Sequence, residues 1–119
     1  MNEQTQKAIT IATWLGYEVV GHEIKHPIMP DINISVNEIV RSYDRIMEAV
    51  DKIEKCNGNA YVVSIHKDAC FVVDTGRRGN INLNSTKTVI MVRDKSSRLE
   101  ALVDAVCQFV DYENARNTQ

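Results

Sequence analysis

Two long amphipathic segments, about residues 36–56 and 97–115, constrain the fold of this chain more than any other feature. In each, apolar residues recur every three or four positions, which is the spacing of one face of a helix. Each segment opens with a capping box, in which a serine and a glutamate three residues later satisfy amide groups at the helix start. The two pairs are Ser35 with Glu38 and Ser97 with Glu100. The sequence therefore predicts two long helices.

Each predicted helix carries an apolar stripe wide enough to pack on a sheet. The first stripe comprises Ile39, Val40, Tyr43, Ile46, Met47, Val50 and Ile53. The second comprises Leu99, Leu102, Val103, Val106, Cys107, Phe109 and Val110. Asn57-Gly58 is the expected end of the first helix, because both residues tolerate the left-handed conformation. We expect both stripes to be buried.

A third, shorter helix is predicted over residues 3–15, with Gly16 as its left-handed stop. Residues 17–20 favour a brief strand. The following segment contains Pro27 and Pro30, and proline cannot donate a hydrogen bond to a strand ladder. We therefore predict that it is irregular or lies at an edge. At the other end of the chain, residues 117–119 are expected to fray.

The stretch between the two long helices has the composition of strands. Residues 60–66 and 69–74 are rich in β-branched and aromatic residues and flank Lys67-Asp68, which favours a hairpin. Residues 87–93 contain four apolar residues in succession, a pattern of strands that are covered on both faces, so we predict that this strand is central in the sheet. The order of elements predicts an α+β fold, a three-layer α/β/α sandwich around a small, mainly antiparallel sheet of three to four strands. The 119 residues are expected to form one domain.

Composition and charge give no overall reason to expect a membrane or nucleic-acid partner. The chain has 44% hydrophobic residues, a formal net charge of −2 and no apolar run of transmembrane length. The charge is uneven, because residues 57–95 are net positive by three and the flanking parts are net negative. The three cysteines form no Cys-x-x-Cys pair, and the first residues resemble no signal peptide. These features predict a reduced, cytoplasmic protein, in which Cys70 and Cys107 are small core residues.

Known catalytic and metal-binding patterns are weak in this sequence. His22 and His26 have the i,i+4 spacing of a helical zinc site, but Pro27 follows directly and no helix pattern supports the segment. No Gly-x-Ser-x-Gly turn singles out a nucleophile, and His66 lies at the predicted hairpin turn. We therefore predict no metal, no cofactor and no catalytic residues. A hydrolase with a site assembled across the sheet is the third and least favoured reading.

The segment Asp74–Lys87 is the one unusual stretch, with two glycines, three asparagines and a connection longer than most hairpins need. Glycines allow backbone amides to approach an anion, and arginines bind phosphate or carboxylate through two parallel hydrogen bonds. Neither a P-loop nor a dinucleotide-binding spacing is present. A solvated hairpin is the favoured interpretation, and a site for a small anion formed by Arg77, Arg78 and Lys87 is the alternative.

Four segments of the chain resemble the phage ABA sandwich family, small uncharacterised proteins of phages and prophages. They are IATWLGYE at 11–18, SYDRIMEAVDKIEKC at 42–56, SIHKDACFVV at 64–73 and SSRLEALVDAVCQFVDYEN at 96–114. Family members often have tryptophan at the position of Tyr43, an aromatic residue at Arg45 and proline at Glu48, so this chain departs from the pattern there. The resemblance implies a three-layer sandwich and a mobile-element origin. It implies no activity, because the family brings no catalytic residues to carry over.

These observations favour a non-enzymatic accessory protein of a phage or prophage that acts by binding, with an unknown protein or a small anionic ligand as its partner. The alternative is a small-molecule or nucleotide binder, a sponge for an anionic ligand, that uses the loop 74–87. Small sandwiches often protect a sheet edge or an apolar face by pairing, so a homodimer is also expected.

Overall fold

A computed structural model, which describes residues 2–117, shows helices and short strands mixed along the chain, and the predicted α+β class is confirmed. The helices are α1 (Glu3–Trp14), α2 (Val36–Val40), α3 (Tyr43–Asn59) and α4 (Arg98–Asn117). The strands are β1 (Val19–Val20), β2 (Glu23–Lys25), β3 (Asn33–Ile34), β4 (Tyr61–Ile65), β5 (Cys70–Asp74), β6 (Arg77–Arg78), β7 (Ile81–Asn82) and β8 (Lys87–Val92). Among residues 2–117, no helix has the length and apolar character needed to cross a membrane.

The main sheet is antiparallel, with strand order β4-β5-β8. The predicted hairpin of β4 and β5 is confirmed, with Lys67 and Asp68 in its turn. The prediction that β8 is central is wrong, because β8 lies at an edge and β5 is the middle strand. A register shift between Val72 and Val73 leaves Val89 as the extra residue of a β-bulge. The four apolar residues in succession therefore span a bulge and do not mark a strand covered on both faces.

Helices α3 and α4 pack on one side of this sheet. That inner side contributes its alternate residues to the core, where Tyr61, Cys70, Val72, Ile90 and Val92 are buried together with the apolar residues of the helices. On the outer side, Val62 and Met91 are 48% and 52% exposed. The outer side of the sheet is therefore not covered by a helix among residues 2–117, whereas the predicted three-layer sandwich places helices on both faces.

The helix predicted over 36–56 is broken. Helix α2 ends at Val40, Arg41 leaves helical geometry, and α3 begins after Ser42. The predicted capping bond at the start of α2 is confirmed, since the Ser35 side chain accepts a hydrogen bond from the Glu38 amide at 3.2 Å.

The predicted apolar stripe is wider than the buried face of α3. Buried residues recur every three or four positions along α3, and Tyr43 and Met47 lie at the margin of that face. Tyr43 and Met47, predicted to be buried, are 48% and 42% exposed, and Ala49 is buried instead.

The remaining helix ends follow the sequence signals. Asn57 and Gly58 adopt positive φ and end the regular part of α3, as predicted. The Ser97 side chain accepts from the Glu100 amide at 3.1 Å at the start of α4. Helix α4 continues to Asn117, and the other two residues predicted to fray, 118 and 119, lie outside the described part of the chain.

The proline-containing segment is more regular than predicted. Strands β1, β2 and β3 form a small antiparallel meander beside α1, and both prolines lie in the connection between β2 and β3. That connection is stabilised by His26, whose Nδ1 accepts hydrogen bonds from the amides of Ile28 and Met29 at 3.1 Å. Proline is tolerated there because these positions lie outside the ladder.

Candidate functional site

The outer side of the main sheet is an exposed apolar surface, and we call it the open face. It is formed by Val62, Phe71, Val73 and Met91, which the strand register places side by side. Val62 and Met91 are about half exposed, and Phe71 and Val73 are partly exposed. Contiguous exposed apolar surface of this kind is a mark of interaction sites.

Two polar side chains lie on the same side of the sheet. The Ser64 Oγ and the His66 Nε2 are 2.8 Å apart, and the rings of His66 and Phe71 form a T-shaped pair with centroids 5.3 Å apart. A serine nucleophile requires a base that is itself oriented by a third group. Within residues 2–117 no carboxylate bonds to His66, so the pair does not form a catalytic triad.

The two edges of the sheet differ. On β4, the Val63 amide donates to the Glu54 carboxylate of α3 at 3.0 Å, so a helix side chain closes that edge. Strand β8 forms the opposite edge and has Lys87 at its first position, with Arg93 directly after its last. Charged residues at an edge strand discourage edge-to-edge pairing. A partner is therefore expected to bind the open face in preference to the β8 edge.

The segment 74–87 is an ordered small hairpin formed by β6 and β7. It is docked on the end of α3, because the Gly79 amide donates to the Gly58 carbonyl at 2.8 Å. A Cβ atom on Gly58 would lie 2.3 Å from the Gly79 nitrogen, and Gly58 has φ +73°. Glycine is thus required at this position both for its backbone conformation and for the close approach.

The three residues of the predicted anion site differ in their contacts and exposure. Arg78 is bound internally, since its guanidinium donates to both carboxylate oxygens of Asp74 at 3.0 Å. The Arg78 hydrogen bonds lower the pKa of Asp74 below its usual value. Lys87 lies opposite Asp74 in the strand register and is exposed.

Of the three residues in the predicted anion site, Arg77 is the one that lines a concave surface. It borders a shallow cleft of about 280 Å³ at the end of the open face. The other lining residues are Asn59, Val62, Thr75 and Asn82. The structure therefore brings Arg77 next to amide and hydroxyl groups, while Arg78 and Lys87 do not line this cleft.

A buried carboxylate marks a second cleft, of about 250 Å³, between the first turns of α1 and α4. Asp104 is 8% exposed and lies 2.7 Å from the Lys7 ammonium and 2.9 Å from that of Lys95. Burial raises the pKa of Asp104, but the hydrogen bonds from both lysines outweigh it and lower that pKa below its usual value. Glu3 also pairs with Lys7 at 3.1 Å, so the two lysines face two carboxylates. We therefore interpret this cluster as a structural contact between α1, α4 and the end of the sheet.

The cysteines and histidines offer little for catalysis or metal binding. Burial raises the pKa of Cys70 to about 11 and that of Cys107 to about 12, so both thiols are protonated at neutral pH and are poor nucleophiles. The described residues contain no group of three or more His, Cys, Asp or Glu side chains placed to hold a metal ion.

The sequence interpretation did not identify the open face. The available signal was the mixed pattern of β4, in which Val62 alternates with polar Ser64 and His66 on the side opposite Tyr61 and Val63. Comparison with other proteins adds nothing to the site, because no protein-family model, curated protein or solved structure matches the chain. The resemblance to the phage ABA sandwich family stays a prediction.

Proposed function

We propose that this protein acts by binding a protein partner through the open face and has no enzymatic activity. The observation that carries the proposal is the half-exposed apolar surface of Val62 and Met91 on a sheet packed by helices on its other side. Leaving such surface in water is unfavourable by about 25 cal/mol per Å². A partner that covers it gains that free energy on binding.

The biological setting of the proposal is an accessory role in a phage or prophage. It is supported by the resemblance of the four segments described above, which concerns mainly core and helix-face residues. A cytoplasmic location fits the unpaired cysteines of the chain. The chemistry argues in the same direction, because the two most buried thiols are protonated and the Ser64–His66 pair has no orienting carboxylate within the described residues.

Three methionines provide a direct test of which surface binds. Met29 lies in the β2–β3 connection, Met47 on α3 and Met91 on the open face, and all three are about half exposed. Peptides selected for binding from an unbiased displayed library would be titrated into protein labelled with ¹³C at the methionine methyl groups. We expect the Met91 methyl resonance to shift, with Met29 as the internal control. Selected peptides that shift only Met29 or Met47 would contradict the proposal.

A second candidate function is the binding of a small anion at Arg77. This function is favoured by the cleft that Arg77 lines together with two side-chain amides and a hydroxyl group. We expect nucleotides or inorganic phosphate to raise the melting temperature in a salt-sensitive manner, since a ligand at about one hundred times its Kd adds about 2.7 kcal/mol. Arg77→Ala should abolish the shift. Lys67→Ala is the matched control, because Lys67 is an exposed cation of the hairpin turn at the other end of the sheet. Equal shifts in parent and Arg77→Ala would place the anion elsewhere.

A further inference from the structure

We infer that the open face is occupied by the exposed side of α3 from a second copy of this chain. The inference rests on the proposed function, because it uses the same surface and names the partner. It is carried by complementarity between two surfaces that are both on this chain. One surface is apolar and bordered by basic residues, and the other is apolar and bordered by acidic residues.

The first surface is a short apolar stripe on α3. Tyr43 and Met47 are four residues apart, so they lie on the same helix face, and both are exposed to nearly half of their surface. Exposed Asp44 and Asp51 border this pair, and Asp51 also pairs with Lys55 at 2.7 Å. Helix α3 as a whole holds four acidic and three basic residues, a net charge of −1. We call these four residues, Tyr43, Asp44, Met47 and Asp51, the α3 stripe.

The second surface is the open face with the cations at its two ends. Arg77 lies at one end, beside Val62. Lys67 and Arg93 lie at the other end, where the aspartates next to them in sequence, Asp68 and Asp94, partly offset their charge. Residues 61–94, which form the main sheet and the 74–87 hairpin, hold five basic and three acidic residues, a net charge of +2. Charges of opposite sign around two apolar centres favour their association and fix its orientation.

The two surfaces also match in size. The three antiparallel strands give the sheet a width of roughly 14 Å, at about 4.8 Å between neighbours. A strand of five residues gives it a length of about 17 Å. A helix is about 10 Å wide, and the twelve or so regular residues of α3 extend about 18 Å. One helix therefore covers the sheet, as the α-helical layer does on the inner side. The contact would cover the outer side of the sheet with a helix of the second copy.

Symmetric contacts through the β8 edge are less favourable. An antiparallel pair of two β8 strands centred on Ile90 would place Lys87 of one copy opposite Arg93 of the other, and like charges directly opposite each other are destabilising. A contact between the α3 stripe and the open face is head-to-tail, so it leaves one free surface of each kind. Such contacts form rings or open chains.

Two variants with complementary defects test this arrangement by sedimentation equilibrium. Met91→Glu places a charge on the open face and leaves α3 intact, and Met47→Lys does the converse. We expect the parent to associate with a Kd on the order of micromolar or weaker, because the interface is small. Each variant alone should show association weakened at least about tenfold, and an equimolar mixture should form a one-to-one dimer. Val20→Asp is the control, because Val20 is an exposed apolar residue outside both surfaces.

Two outcomes overturn the inference and leave the proposed function separately testable. A parent that stays monomeric up to about 1 mM (a standard free energy of about −4 kcal/mol) excludes a second copy as the partner. Association of Met47→Lys as strong as that of the parent would show that the open face binds something other than α3. Loss of folding in either variant, detected by circular dichroism, would move the test to Met91→Gln and Met47→Gln, judged by the same mixture. In every case the peptide titration followed at Met91 decides independently whether the open face binds a partner.

Discussion

Aspartate in place of Val106 will leave the chain unfolded at neutral pH, whereas aspartate in place of Val62 will leave it folded. Val106 lies on α4 at 1% exposure, inside the core that joins the helices to the sheet. Burying a carboxylate among apolar side chains costs several kcal/mol. Domains of this kind are stable by only about 5–15 kcal/mol in total. The substitution therefore removes most or all of the stability.

Val62 is the matched control because the residue type and the substitution are the same and only the side of the sheet differs. A carboxylate on the open face stays hydrated, so we expect a loss of about 1 kcal/mol from the poor strand propensity of aspartate. Far-UV circular dichroism and urea unfolding of both variants provide the measurement. A folded Val106→Asp variant would contradict the position of α4, and an unfolded Val62→Asp variant would show that the outer side of the sheet is covered.

The two variants compare the inner and outer sides of the sheet, and the exposure of the outer side is the feature of the fold that the sequence predicts least well. The ends of the helices could be predicted, because caps and stops are local. Ser35 and Ser97 bond to amides three residues away, and Gly58 adopts the left-handed conformation that its lack of a side chain allows. The β4–β5 hairpin could also be predicted, since its two-residue turn and apolar strands are contiguous in the chain.

The exposure of the outer side of the sheet could not be predicted by the same means. An apolar run in β8 has the same appearance whether the strand is central or carries a bulge at an edge. The register shift at Val72/Val73 depends on the pairing of β5 with β8 and is not encoded within either strand alone. Similarly, the break between α2 and α3 contains neither proline nor glycine. Its available signal was Ser42 before Asp44, an N-terminal pattern inside a segment that already had a start at Ser35.

The candidate anion site shows a third limit. Arg77 and Arg78 are adjacent and chemically identical, so the sequence could not separate their roles. The structure distinguishes the two arginines by their contacts, because Arg78 donates hydrogen bonds to Asp74 while Arg77 borders the cleft. A double substitution of both arginines would therefore remove an internal ion pair as well as the proposed ligand contact. Arg77→Ala alone is the informative variant.

The attachment of the 74–87 hairpin to α3 leads to the second large expected effect, at Gly58. Alanine there would place a methyl group 2.3 Å from the backbone nitrogen of Gly79, and backbone atoms cannot rotate away as a side chain can. The left-handed conformation adds about 1 kcal/mol of strain for alanine, and overpacking adds about 1–3 kcal/mol. We expect Gly58→Ala to lower the free energy of unfolding by roughly 2–4 kcal/mol, or to detach the hairpin from the helix.

Gly79→Ala is the control, because Gly79 belongs to the same contact and also has positive φ, at +63°, but a Cβ atom there would have no other atom within 4 Å. It should cost only the conformational strain of about 1 kcal/mol. Urea unfolding compares the two variants, and hydrogen exchange of the Gly79 amide reports the bond to the Gly58 carbonyl directly. In Gly58→Ala that amide should exchange faster even where the rest of the sheet stays protected. Equal stability of both variants, with the Gly79 amide still protected, would show that the hairpin does not pack against α3 at this distance, and the cleft at Arg77 would then lose the wall that positions it.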